Sequence, residues 1–266
     1  MKNDTGRHAR DYAADLAASG RYSFSSQEAR RALGVSADAA KLALNRLIKQ
    51  GVLASPARGF YVIVPPEYRA LGCLPADQFL PALMKRQKRP YYAGLLSAAQ
   101  YHGAAHHRPQ TFQVMTVGPR RAIVCGRVRV SFFVRKNIAK VPAQSFNTPR
   151  GTILVSTPEV TAIDLVGYHD RIGGLDQAAT VLGDLAEALD PDKLVAAVRS
   201  VPVSWVQRLG YLLERVDARD KAAALKPYVR AQARNAVALL PSAPRTGAMR
   251  NDDWKLDINA ELEPDL

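Results

Sequence analysis

Residues 25–64 read SSQEARRALGVSADAAKLALNRLIKQGVLASPARGFYVIV, and this stretch decides the fold of the N-terminal region. Ser25 precedes Glu28 by three residues, which is the spacing of a helix-starting capping box. The short helix that follows is predicted to end at Gly34. A second helix and two short extended runs come next, an order typical of a winged helix-turn-helix. One more helix is predicted before this stretch, from Asp11 to about Gly20.

The second helix of the pair is predicted to begin after Ser36, a good N-cap, to run over about 37–50 and to end at Gly51. Its apolar residues recur at helical spacing and form one face. They are Ala40, Leu44, Leu47 and Ile48. Another face carries the polar residues Asp38, Lys41, Asn45 and Lys49.

The two extended runs, 52–54 and 60–64, predict a ribbon with Arg58 in its turn. In a winged helix, the second helix of the pair can enter the major groove and present side chains to base edges. Asn45 is the side-chain type that reads adenine, and the cations Lys41, Lys49 and Arg58 suit phosphates. A winged helix used only for protein contacts, or a helical hairpin with solvated charges, is the alternative.

The middle of the chain is one-signed in charge. No Asp or Glu occurs between Gln78 and Pro158, whereas this stretch holds 13 Lys and Arg residues, equal to the formal net charge of +13. The rest of the chain balances 37 − 13 = 24 basic groups against 24 acidic ones. Self-repulsion makes such a region costly unless an anion offsets it, and nucleic acid is the usual partner.

Residues 127–135 show the clearest alternation in this region. A strand would place Val128, Val130, Phe132 and Val134 on a core-facing side. The other face would carry Arg127, Arg129, Ser131, Phe133 and Arg135. Together with the doubled cation Arg120-Arg121 in a preceding turn, this row predicts a basic surface for phosphates, bases or an acidic protein. A solvated outer face is the alternative.

The remaining patterns predict an α+β chain. A helix is expected over 91–101, strands over 112–117 and 152–155, stacked helices after Gly173, and a strand over 254–258 before an acidic tail. The predicted domains are a winged helix-turn-helix at 1–65 and a mixed α/β and helical C-terminal domain at 66–266. The latter divides into a basic α/β part at about 85–165 and a helical part at about 170–240.

Enzymatic motifs are missing: no GxSxG, P-loop, HExxH or nucleotidyltransferase pattern of Gly-Ser and paired aspartates occurs. We therefore expect neither catalysis nor a cofactor. Cys73 and Cys125 are predicted to be small residues of the apolar core. No metal site is predicted, although a histidine cluster (His102, His106, His107) leaves one conceivable. Asp253 and Lys255 have the spacing of part of a nuclease metal site, so a nuclease is a further hypothesis. The absence of a signal-like segment or an apolar run of membrane length predicts a cytoplasmic protein without membrane contact.

Several short motifs occur in an informative order. They are Arg58-Gly59-Phe60-Tyr61, Arg89-Pro90-Tyr91-Tyr92, Ser97-Ala98-Ala99, His102-Gly103 and the run STPEVTAIDL at 156–165. In this order they resemble the AbiEi family of antitoxins, the antidote halves of type IV toxin–antitoxin operons. The resemblance spans about 21–189, and it leaves the segment before Arg21 and the acidic tail unmatched.

This resemblance implies that the winged helix binds inverted repeats in double-stranded promoter DNA and represses its own operon. It also implies antitoxicity against a nucleotidyltransferase toxin, without a stable complex. The DNA-binding positions implied here are Ser36, Lys41, Asn45, Lys49 and Arg58. The second basic surface would comprise Arg120, Arg121, Arg127, Arg129 and Arg135. A ligand-sensing regulator with the same winged helix, but without an antitoxin role, remains the competing function.

Overall fold

The computed structural model describes residues 8–104 and 109–263. Its N-terminal part is a winged helix, as the sequence predicts. The elements are α1 (Ala9–Ala18), β1 (Ser23–Ser25), α2 (Ser26–Leu33), α3 (Ala37–Lys49), β2 (Leu53–Ala57) and β3 (Phe60–Ile63). Strand β3 lies between β1 and β2 and is antiparallel to both.

Local signals account for the boundaries of the two central helices. Ser25 and Glu28 form the capping box at the start of α2, each side chain meeting the other residue's backbone N–H. Gly34 (φ +65°) ends α2 and Gly51 (φ +69°) follows α3, both in the left-handed region that glycine tolerates best. The side-chain oxygen of Ser36 accepts the Ala39 N–H and caps α3.

A mixed sheet follows along the chain. In sequence, one helix precedes its first strand and another helix comes directly after that strand. The elements are α4 (Ala76–Arg86), β4 (Tyr91–Ala93), α5 (Leu95–Tyr101), β5 (Phe112–Thr116), β6 (Ile123–Cys125), β7 (Val128–Val134), β8 (Ala143–Thr148) and β9 (Gly151–Ser156). The six strands are ordered β6-β7-β5-β4-β9-β8. The pairs β5–β7 and β4–β9 are parallel, and the other neighbours are antiparallel.

The single helix predicted over 91–101 is wrong in its first turn. Residues Tyr91–Ala93 form β4, which pairs with β5 and β9, and the helix begins only after Gly94. The two tyrosines favour a strand, and the sheet supplies hydrogen-bond partners that an isolated segment lacks. Tertiary pairing therefore overrides the local helix signal.

The C-terminal part is helical and ends in a small sheet. Its elements are α6 (Pro158–Gly167), α7 (Leu175–Leu185), α8 (Pro191–Val198), α9 (Val203–Arg215), α10 (Arg219–Gln232), β10 (Val237–Ala238), β11 (Met249–Asn251) and β12 (Leu256–Ile258). Trp254 is fully buried beside β12, and its Nε1 donates to Glu214 Oε2 at 2.8 Å. The expected α+β fold class is confirmed.

Acidic residues of the C-terminal segment are held within this helical part. Asp253 Oδ2 lies 2.8 Å from Lys226 Nζ, and Asp257 Oδ1 lies 2.7 Å from Arg250 Nη1. Lys255 instead donates to the backbone of Ala233. Asp253 and Lys255 thus contact different structural partners, Lys226 and Ala233. This arrangement does not support the nuclease hypothesis. Asp265, in the acidic tail, lies outside the described residues.

The winged helix and the six-stranded sheet share one apolar core. Phe60 and Val62 of β3 pack in the same cluster as Phe79 and Leu83 of α4 and Val130 of β7. This common core holds β3 against the sheet, and Leu44 and Leu47 of α3 pack in a separate cluster with Tyr61 and Ile63 of the same strand.

Arg150 adds a polar contact across the same boundary. Its guanidinium carbon lies 3.9 Å from the centre of the Tyr22 ring, and its Nη1 donates to Gln78 Oε1 at 2.6 Å. Glu67 completes the set, with Oε1 3.3 Å from Nη2 of Arg150. Arg150 belongs to the 13 cations of the basic middle region, and these contacts give it a structural role inside the protein.

Within residues 8–104 and 109–263, no helix is both long and apolar enough to cross a membrane.

Candidate nucleic-acid interface

A groove of about 470 Å³ opens between α2, α3 and the β2–β3 turn. Arg30 of α2, Lys41 of α3 and Arg58 of the turn line it, so three elements bring three cations to one concave surface. Gln27 and Asp38 also line this groove, and all five side chains belong to exposed residues. The shape and charge suit a phosphate backbone, with α3 presented to a nucleic-acid groove.

The five DNA-binding candidates are all exposed, and the structure divides them between three settings. Lys41 and Arg58 line the groove together. Asn45 and Lys49 continue the exposed face of α3 towards its C-terminus. Ser36 stands at the N-terminus of α3, where its side-chain oxygen already accepts the Ala39 N–H at 3.2 Å. Ser36 therefore stabilises the start of α3, the helix on which Lys41, Asn45 and Lys49 lie.

Sequence reasoning missed three residues at this surface. Gln27 and Arg30 lie on α2, the helix usually assigned to backbone contacts, and the tertiary fold brings them beside Lys41. Leu42 is apolar yet 61% exposed on α3. Its position one residue after Lys41 was visible in the sequence, but its exposure depends on which face of α3 packs on the core.

Arg135 is a correction to the predicted basic surface. Only 4% of it is exposed, and its Nε lies 3.0 Å from Oδ1 of the fully buried Asp164 on α6. The orientation is that of an ion pair rather than of an aligned hydrogen bond, since neither atom has a hydrogen-bond partner. The helical part covers this end of the sheet, so the cation meets an internal carboxylate instead of solvent.

The same packing changes the faces expected for the end of β7. Phe133, predicted to stand outward among the arginines, is half-buried against the helical core. Val134, predicted to face the core, is exposed. Val128 and Val130 are buried as expected, under α4. The alternation therefore predicts burial correctly at the start of β7. It predicts burial wrongly at the end of β7, where α6 covers the second face of the sheet.

Asp164 is the centre of this buried polar cluster. Besides Arg135, it receives a hydrogen bond from the Tyr92 hydroxyl, at 2.7 Å. Burial raises the pKa of Asp164 to about 6, opposed by the charge of Arg135 and by the Tyr92 hydrogen bond. The carboxylate is thus ionised at neutral pH and needs its cation, because an unpaired buried charge is strongly unfavourable.

The other four arginines of the predicted surface have different settings. Arg121, Arg127 and Arg129 are exposed. Arg120 is half-buried, with its guanidinium carbon 4.5 Å from the centre of the Phe132 ring. These four remain available to an anionic partner, but they do not form the single uninterrupted row expected from the alternation.

A second group of cations lies in and just after the last turn of α4 and includes one residue from the β5–β6 connection, and we call it the α4 basic cluster. Its members are Lys85, Arg86, Lys88, Arg89 and Arg120. Arg120 donates to Gln87 in the last turn region of α4. Burial lowers the pKa of Arg120, and the charge of Arg89 lowers it further, so like charges lie close together.

This cluster adjoins the winged helix. The guanidinium carbon of Arg86 lies 6.0 Å from the centre of the Phe60 ring, the first residue of β3. A Cβ placed on Gly59, in the β2–β3 turn, would stand 3.5 Å from Arg86 Nη2. Arg86 of the α4 basic cluster therefore lies beside the turn that carries Arg58. The sequence showed the run at 85–89, but without α4 it gave no reason to place that run beside the turn.

The cysteines and His102, the described member of the histidine cluster, have structural partners or surroundings. Cys73 and Cys125 are free and buried in the shared core. His102 Nε2 donates to the Ser156 carbonyl at 2.8 Å, which ties α5 to β9. His106 and His107 lie outside the described residues. Among the residues that are described, no group of three or more His, Cys, Asp or Glu side chains could hold a metal ion.

Two family models match this chain. Residues 11–64 match the model described as "Transcriptional regulator, AbiEi antitoxin", and residues 92–215 match the "AbiEi antitoxin C-terminal domain" model. These matches reach beyond the 21–189 span of the sequence resemblance at both ends. Most of α1 and all of α9 therefore fall within the matched regions. No curated protein sequence matches the chain.

Solved structures with similar folds include the RV2827C protein from Mycobacterium tuberculosis. It is 17% identical, has a TM-score of 0.68, and the alignment covers 94% of this chain and 92% of that one. This likeness concerns the fold. An antigenic nucleotidyltransferase-like protein from Paracoccidioides brasiliensis is 11% identical with a TM-score of 0.41, over 57% of this chain and 90% of that one.

Proposed function

Because the chain belongs to the AbiEi family of antitoxins and transcriptional regulators, we propose that it binds inverted repeats in the promoter of its own operon and represses transcription. As an antitoxin it counteracts a nucleotidyltransferase toxin without forming a stable complex. It acts in the cytoplasm, and it does so by binding rather than by catalysis.

The observation that carries the DNA-binding proposal is the groove beside α3. Arg30, Lys41 and Arg58 converge there from three elements, and no ion pair joins any of them to a carboxylate within the described part of the chain. Asp38 is the one acidic residue that lines the groove. Cations held together without carboxylate partners favour phosphates, whose binding releases condensed counterions.

The α4 basic cluster extends this surface. It replaces the row that ended in Arg135 as the main second contact, because its member Arg86 lies next to the β2–β3 turn that also carries Arg58. The shared core holds the winged helix and α4 in one arrangement. DNA seated on α3 would therefore meet a second set of cations without any rearrangement of the protein. Arg121, Arg127 and Arg129 are candidates for outer contacts.

The test is binding to the DNA upstream of the gene, measured at several salt concentrations. Each phosphate contact contributes roughly 0.9 to the slope of log affinity against log salt. We expect the Lys88→Ala, Arg89→Ala double variant to reduce the slope by about 1.8, and Lys41→Ala or Arg58→Ala by about 0.9 each. The matched control is the double variant Arg199→Ala, Arg219→Ala, which removes two exposed arginines of the helical part.

A wild-type protein whose binding ignores salt, or cluster variants that behave as the control does, would refute this interface. Antitoxicity is measured separately, by co-expression with the toxin of the operon. Variants that lose promoter binding but still rescue growth would separate repression from neutralisation. Failure of the wild type to rescue growth would remove the antitoxin half of the proposal.

A further inference from the structure

The exposed face of α3 carries an apolar side chain where a solvated helix would carry a polar one. Leu42 is 61% exposed, and Val35, just before α3, is 39% exposed. At 100° per residue, Leu42 lies about 60° from Asn45 and about 20° from Lys49 around the helix axis. It therefore lies on the exposed side of α3 beside Lys49 and Asn45, about 100° from Lys41.

Packing within the chain does not account for this leucine. Leu44 and Leu47, on the opposite face, belong to the core of the winged helix, whereas Leu42 belongs to none of the apolar clusters of the described residues. Exposed leucines are common in proteins, so exposure alone assigns no role. What distinguishes Leu42 is its place next to Asn45 and Lys49 on the exposed face of α3, the helix that also borders the cationic groove through Lys41.

The chemistry of the major groove offers one apolar feature to such a side chain. Of the four bases, only thymine presents a methyl group there, at C5, and the other groups are hydrogen-bond donors and acceptors. Asn45, about 60° away on the same face, has the amide that pairs with the N6 and N7 atoms of adenine. The two neighbours thus offer complementary means of recognising an A·T-containing step.

We propose that Leu42 is a specificity-determining residue that contacts the C5-methyl group of a thymine in each operator half-site. This inference rests on the proposed DNA-binding function. Lys41, Lys49 and Arg58 supply affinity through phosphates, and Leu42 supplies base preference without adding to the salt dependence.

The experiment removes the methyl group alone. After footprinting locates the half-site on the promoter, each thymine in it is replaced in turn by deoxyuridine. We expect the wild type to lose affinity about fourfold at one position, the ratio corresponding to about 0.8 kcal/mol for one buried methyl-sized group. Leu42→Ala should bind the thymine operator at least fourfold more weakly, and should no longer distinguish thymine from deoxyuridine at that position.

Two variants separate this result from a general loss of binding. Lys41→Ala should weaken binding and lower the salt slope by about 0.9, yet keep the thymine preference. Met249→Ala removes an apolar side chain that is 74% exposed in β11, and it should change neither property. Thermal unfolding and light scattering check that Leu42→Ala retains its fold and its oligomeric state.

Each failure has a distinct meaning. A wild type without salt-dependent promoter binding overturns the proposed function itself. If the wild type binds but ignores every deoxyuridine, or if Leu42→Ala keeps the wild-type preference, promoter binding stands and the role of Leu42 is refuted. A change of oligomeric state in Leu42→Ala, with base preference intact, would also refute it and identify an association surface.

Discussion

Replacement of Arg135 by leucine tests whether this arginine is structural or part of the basic surface. The side chain is 4% exposed and its Nε lies 3.0 Å from a carboxylate oxygen of Asp164. Removing one partner of a buried ion pair costs about 3–5 kcal/mol, since the other charge is left uncompensated. At about 2–4 °C per kcal/mol for a protein of this size, the Tm should fall by about 6–20 °C.

The assay is urea and thermal unfolding of Arg135→Leu beside Arg129→Leu. Arg129 lies on the same strand but is exposed, so its replacement should change the free energy of unfolding by no more than about 0.5 kcal/mol. A triple variant that also carries Asp164→Leu and Tyr92→Phe should recover part of the loss, because no polar group of the cluster stays unpaired. Equal stability of the two single variants would refute the structural role of Arg135.

The pH dependence of Arg135→Leu follows from Asp164. Burial already raises the pKa of this carboxyl to about 6 in the folded protein, and loss of the cation raises it further. The folded state then binds a proton that the unfolded state releases near its ordinary pKa of about 3.9, so stability falls as pH rises between those values. The deficit of Arg135→Leu relative to the wild type should be larger at pH 8 than at pH 5.5. A deficit independent of pH would contradict this account.

Two further substitutions test the packing between parts of the chain. Arg150→Ala removes the cation 3.9 Å from the Tyr22 ring and the hydrogen bond to Gln78, so we expect a loss of about 1–3 kcal/mol in urea unfolding and faster hydrogen exchange in β1; unchanged exchange would contradict that role. Gly210→Ala would place a Cβ 2.0 Å from the ring of the buried Trp254, costing about 1–3 kcal/mol, whereas Gly118→Ala, with no atom within 4 Å, should be neutral. Equal Tm values for the two glycine variants would show that the tryptophan can move.

The winged helix could be predicted because its signals are local. Capping at Ser25 and Ser36, glycines in the left-handed region at 34 and 51, and the apolar face of α3 each act within a few residues. The exposed positions of Lys41, Asn45 and Lys49 follow from the same 3.6-residue period. Their contact with DNA remains a prediction.

Local pattern was not enough where two sheet faces are both covered. The alternation at 127–135 correctly predicted that Val128 and Val130 are buried, but it assigned Arg135 to solvent. A strand with helices on both faces buries residues of both parities, and nothing in the strand itself shows where the second cover begins.

By itself, the sequence determined the helix-turn-helix, the strand periodicity and a net charge of +13 concentrated in a region without acids, because composition and short-range spacing carry that information. Tertiary structure alone decided which cations reach solvent. Arg135 pairs with the buried Asp164, whereas Arg150 contacts Tyr22, Glu67 and Gln78. Packing also places the end of α4 beside the β2–β3 turn. The physical reason is that the roles of Arg135 and Arg150 depend on partners 29 to 128 residues distant along the chain, and packing of the apolar core brings those partners together.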